Sequence, residues 1–126
     1  MSFGKVRLDP ADIAFSQWIR TRDNWTCQRC GMSYTPPTNS LQCSHFQGRR
    51  KEGTRFEPLN CDALCAGCHS YFGANPAEHY KWQVNRKGQR VVDQIVLQSN
   101  TYHKKDRKLE LLYWKQRLID EFGILI

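Results

Sequence analysis

At 126 residues the chain is long enough for one domain (1–126), with an interior that buries about two-thirds of its unfolded surface. Nineteen Lys and Arg against 12 Asp and Glu leave a net charge of +7, which favours a polyanionic partner, nucleic acid first. No run reaches the roughly 20 apolar residues of a membrane span, Met1 to Arg7 has no apolar signal core, and no strong basic amphipathic helix stands at a terminus; the expectation is a cytoplasmic protein without a membrane partner, whose six cysteines bind metal rather than form disulfides.

Asp9-Pro10 predicts a helix start, Asp9 as cap and Pro10 in the first turn. Ile13, Phe15, Trp18 and Ile19 give that helix an apolar face to about Arg22. Trp25 to Gly31 reads as a turn carrying Cys27 and Cys30, and residues 33–40 as a Pro-containing loop. Leu41 to Phe46 predicts a short strand, residues 47–55 a basic loop, and Phe56 to Leu59 a second short strand broken by Pro58. A helix is expected from Asp62, carrying Cys65, Cys68 and His69. Further helices are expected from Pro76 to about Asn85, over Val91 to Gln98, and from Lys104 to Phe122, the last ended by Gly123. Leu109, Leu112, Tyr113, Leu118, Ile119 and Phe122 form the predicted buried stripe of that final helix. The fold class is therefore α+β: a small core of about 25–75, with flanking helices at about 9–23 and 76–122.

Cys27-x-x-Cys30 and Cys65-x-x-Cys68 are two pairs of thiolates with the spacing of one tetrahedral structural Zn²⁺. Four protein ligands leave such an ion no open position, so its role is to clamp a turn to a helix. Cys43 and Cys61 fall outside the quartet and read as buried free thiols, the alternative being that one of them replaces a member of the quartet. His45 lies between the two pairs in sequence, and Asn60 and His69 flank the second. On a helix His69 sits about 100° round from Cys68, so the cysteines can face zinc while His69 faces a separate cleft. Each has a plainer reading as well: His45 a packed imidazole, Asn60 a cap or turn residue, His69 a neighbour of the zinc.

His45, Asn60 and His69, with the run Asn60-x-x-x-Leu64-Cys65-x-x-Cys68-His69, resemble the HNH nucleases, the ββα-metal family. Phe15-Ser-x-Trp-Ile-Arg-x-Arg-Asp23, Cys27-x-x-Cys30-Gly31 and Arg55-Phe56 look most like the phage NinG-type (Rap-like) recombination endonucleases; the likeness spans about residues 12–82. The resemblance implies a zinc-stabilised ββα-metal core and a metal-dependent DNA endonuclease working in the cytosol of a bacterium or a phage-infected host. It implies His45 as the general base. It also implies a catalytic Mg²⁺ or Mn²⁺ on His69 and Asn60, with His45 as an optional further ligand. Asn60 would either orient His45 or bind the ion, and the products would carry 5′-phosphate and 3′-hydroxyl ends. Many members have an acidic metal ligand immediately before the first His. Here that position is Ser44, and Asp62, Glu78 and His79 are the candidates to replace it.

Arg49, Arg50, Lys51 and Arg55 follow His45 and are expected to grip DNA phosphates; Arg20, Arg22, Lys104, Lys105, Arg107 and Lys108 are further cations of that kind. Two other functions fit the same composition: a non-catalytic zinc-stabilised nucleic-acid-binding module, and a zinc adaptor for another protein. The chain is expected to be a monomer or a homodimer.

Overall fold

A computed structural model describes residues 7–126; the reading of Met1 to Val6 lies outside them. Five helices surround a two-stranded antiparallel sheet: α1 (Pro10–Arg22), β1 (Leu41–His45), β2 (Cys61–Cys65), α2 (Ala66–Ala74), α3 (Pro76–Lys87), α4 (Gln89–Ser99) and α5 (Arg107–Phe122). The fold is α+β, as expected. Among the described residues no helix is long and apolar enough to cross a membrane.

Local chemistry accounts for the start of α1 and both ends of α5. Asp9 caps α1 through Ala11 N–H, and Asp12 reaches back to the Asp9 N–H at 2.8 Å, a reciprocal capping box. Asp106 caps α5 through the N–H groups of Lys108 and Leu109. Gly123 closes α5 at φ +67°, a conformation that suits glycine.

The second strand differs from its prediction. Cys61 to Cys65 forms β2, in register with β1 from Leu41↔Cys65 to His45↔Cys61, and α2 begins only at Ala66. Phe56 to Leu59 is not a strand; Pro58, which cannot donate to a ladder, starts a 3₁₀ turn over Pro58–Asn60. Cys65 thus ends a strand and caps a helix at once, its Sγ accepting from Cys68 N–H at 3.4 Å.

Two apolar clusters hold the sheet. One joins Phe15, Trp18 and Ile19 of α1 to Phe56, Cys61, and Trp114 and Leu118 of α5. Its rings meet edge to face, Phe15 with Trp114 at 4.8 Å and with Phe56 at 5.7 Å. The other is smaller: Cys27, Leu41, Ala63, Leu64, Cys68 and Phe72. The expected stripe of α5 is mostly uncovered. This helix packs on α1, which covers Trp114 and Leu118, while Leu109 and Leu112 are each 64% exposed and Tyr113, Ile119 and Phe122 also face solvent.

The segment between the strands is fastened at both ends of its course. Asn60, fully buried, accepts from Gln47 N–H at 2.7 Å and donates to the carbonyls of Gln47 (2.8 Å) and Thr54 (3.1 Å). Across the loop, Gln98 Nε2 donates to the Gly53 carbonyl at 2.9 Å. Only glycine fits at 53: a Cβ there would lie 2.2 Å from the Gln98 carbonyl oxygen and 2.6 Å from that of Thr101.

Candidate functional site

The four sulfurs of Cys27, Cys30, Cys65 and Cys68 lie within 4.8 Å of one another. Cys30 and Cys65 Sγ are 3.8 Å apart, close to the edge of a tetrahedron with metal–sulfur bonds of about 2.3 Å. The Cys27-to-Gly31 turn places the first pair, and the junction of β2 with α2 places the second. Burial raises the Cys27 thiol, but the backbone N–H groups of Cys30, Cys65 and Arg29 outweigh it and bring the thiol down to about 6. Burial holds Cys68 up to about 12, and a bound ion would displace its proton. The donor set and its compactness fit a structural zinc. Arg29, which the spacing of the cysteines does not single out, donates to Cys68 Sγ at 3.4 Å and stacks 4.2 Å over Tyr71. Its charge would offset part of the double negative charge of a zinc held by the four thiolates.

A hollow of about 410 Å³ is lined by α1 and β1 together with Arg49 and His69. His45 and His69 both open onto it. His45 Nε2 lies 2.9 Å from the Arg55 carbonyl. A carbonyl only accepts, so Nε2 carries the proton and Nδ1 keeps the lone pair. His69 is set the other way, Nδ1 donating to Gln42 Oε1 at 2.6 Å, which leaves Nε2 basic. Burial pushes His45 down to about 4, with Arg49 adding to the effect; burial and then Arg49 also lower His69. Both rings are therefore neutral at pH 7.

Asn60 does not orient His45 and does not line the hollow: its amide is taken by Gln47 and Thr54, and the Arg55 carbonyl does the orienting. The same hydrogen bonds leave Asn60 Oδ1 no place as a metal ligand. Arg55 is not a surface phosphate clamp. Its guanidinium is buried in a fork on Asp12, at 2.9 and 2.6 Å, with Glu52 alongside. Arg49 lines the hollow, and Arg50 and Lys51 are exposed on the same loop. Arg22 is spent on the carbonyls of Pro58 and Cys61, and Arg107 on Glu52.

None of the candidates for the missing acidic ligand lines the hollow. Asp62 is buried under Lys87, Arg86 and Gln83, Glu78 pairs with Lys81 at the surface, and His79 stacks on Phe72 at 4.4 Å. The one carboxylate in the lining is Asp12, held by Arg55. Cys43 and Cys61, expected as buried free thiols, lie together with His45, the three ligand atoms within 4.8 Å of one another. The chain matches no family model, no curated protein and no solved structure.

Proposed function

We propose that the protein is an HNH-type endonuclease with a zinc-braced ββα-metal core, hydrolysing phosphodiester bonds in DNA. The observation that carries this reading is one hollow lined by two imidazoles of opposite tautomer, with an arginine beside them. His45 Nδ1 is the general base: it accepts a proton from the water that attacks phosphorus. Its low proton affinity comes from burial and from Arg49, and an anionic phosphate entering the hollow works against both. Arg49 holds that phosphate, and Gln42 keeps the ring of His69 in place.

A divalent ion on His69 Nε2 would set positive charge against the negative charge that builds on the phosphate and the departing 3′ oxygen. The lining offers such an ion imidazole and no uncommitted carboxylate, so it suits a metal that accepts nitrogen better than it suits Mg²⁺. Mn²⁺ and Ni²⁺ belong in the assay beside Mg²⁺ for that reason. The net charge of +7 and the exposed Arg50 and Lys51 supply the attraction to DNA.

A second reading is a zinc-stabilised nucleic-acid-binding module without catalysis, favoured by the lack of an uncommitted carboxylate in the hollow. Supercoiled plasmid separates the two. Nicking in one of the three metals, lowered about 10²–10⁴-fold in His45→Ala that keeps the zinc of the cysteine quartet and its circular dichroism, is the expected result. His69→Ala should also keep its zinc and lose nicking. Salt-sensitive binding with no cleavage in any metal gives the module reading the field.

A further inference from the structure

We propose that Cys43, Cys61 and His45 Nδ1 form a second metal site, separate from the cysteine quartet, that takes a thiophilic divalent cation of the Zn²⁺ type. The strand register builds it. His45 and Cys61 are direct partners across the sheet, and Cys43 precedes His45 by two residues, so the three side chains leave the same face. The two sulfurs and a ring nitrogen of His45 lie within the same 4.8 Å limit that the quartet meets, and because Nε2 is taken by the Arg55 carbonyl, Nδ1 is the nitrogen left for an ion. A tetrahedral ion with bonds of about 2.0–2.3 Å spaces its ligands about 3.5–3.8 Å apart, so each group closes on it with a shift of about an ångström or less.

The chemistry agrees with the geometry. Two thiolates and an imidazole are a soft set that selects Zn²⁺ over Mg²⁺. The two thiolates cancel the charge of the ion, which gives a neutral unit suited to the apolar cluster that surrounds Cys61. Binding releases the two thiol protons to solvent. The Arg55 carbonyl already fixes the ring by accepting from Nε2, the outer contact that a metal-bound histidine ordinarily has. The quartet is closed, but this site is not: Cys43 and His45 line the hollow, so a fourth position is open to water or to a small anion.

An ion here occupies the lone pair that the nuclease reading gives to the general base, so zinc at this site and base catalysis exclude one another. That consequence rests on the nuclease reading; the metal content does not. The test uses the full chain, kept reduced and dialysed against micromolar Zn²⁺, with metal counted by atomic emission. Wild type is expected to hold two zinc ions per chain, and Cys43→Ser and His45→Gln one each, with melting curves confirming that the variants are folded. Cobalt added to wild type that carries a single zinc should give a thiolate-to-cobalt absorption that both variants lack. One zinc per chain in wild type with no cobalt spectrum, or a second ion that both variants retain, overturns the site. The second equivalent should lower wild-type nicking at least tenfold. Two ions per chain in a protein that never nicks DNA leave this site standing and remove the nuclease reading instead.

Discussion

The two ends of the sheet are held by different physics. Towards α1 and α5 the interior is aromatic: Phe15, Trp18, Phe56 and Trp114 interlock, and the buried Arg55–Asp12 pair ties the inter-strand loop to α1. Towards α2 the buried set is five small or aliphatic groups, Cys27, Cys68, Leu41, Ala63 and Leu64, with one phenylalanine, Phe72. Trp25, Tyr34 and Trp82 only partly cover it, so apolar burial at about 25 cal/mol per Å² gives this half less to stand on than the other. The half that presents His69 is thus the one expected to lean on a metal held by the quartet. The half that orients His45 depends on packing and one ion pair.

Three substitutions break or sharpen this contrast. Cys65→Ser should have the largest effect, because it removes a zinc ligand and the cap of α2 together. Loss of the ion and of folding free energy of order 10 kcal/mol is expected, read as zinc content and loss of the near-UV dichroic signal. A variant that stays folded without zinc would show the metal half to be as well packed as the aromatic one. Phe15→Ala should cost about 3–5 kcal/mol in denaturant unfolding, since it empties the centre of the ring cluster, and should leave zinc content unchanged. Loss of zinc in that variant would mean that the two halves are not separately fastened. Leu112→Glu should change stability by about 0.5 kcal/mol or less, its side chain lying on the outer face of α5. A larger loss, measured together with a fall in molecular mass by light scattering, would reveal that a second copy covers that face.

How much of this was legible in the sequence depends on the range of the interaction that decided it. The quartet was legible because zinc ligands pair at fixed local spacing, and the ends of α1 and α5 because caps act within three residues. That His45 and His69 share a hollow followed from their places on either side of the second cysteine pair. The role of Asn60 was not legible: its partner Gln47 is thirteen residues away, and an amide before a strand looks the same whether it faces a metal or a backbone. Arg55 sat in a run of cations, and nothing nearby marked Asp12, forty-three residues upstream, as its partner. On α5 the apolar residues outnumber the positions that a single packing neighbour can cover, so composition overstated burial. The run Cys61 to Cys65 carries too few β-branched residues to announce a strand, and it becomes one because β1 supplies the ladder.

Arg55 links α1 to His45 through its two ends. Its guanidinium grips Asp12 on α1, and its carbonyl receives the Nε2 proton of His45. A lesion in the first helix therefore has a route to the imidazole that passes through no atom of the hollow. Loosening that grip frees the peptide oxygen to drift, and the ring then partitions between two prototropic forms, only one of which leaves Nδ1 basic.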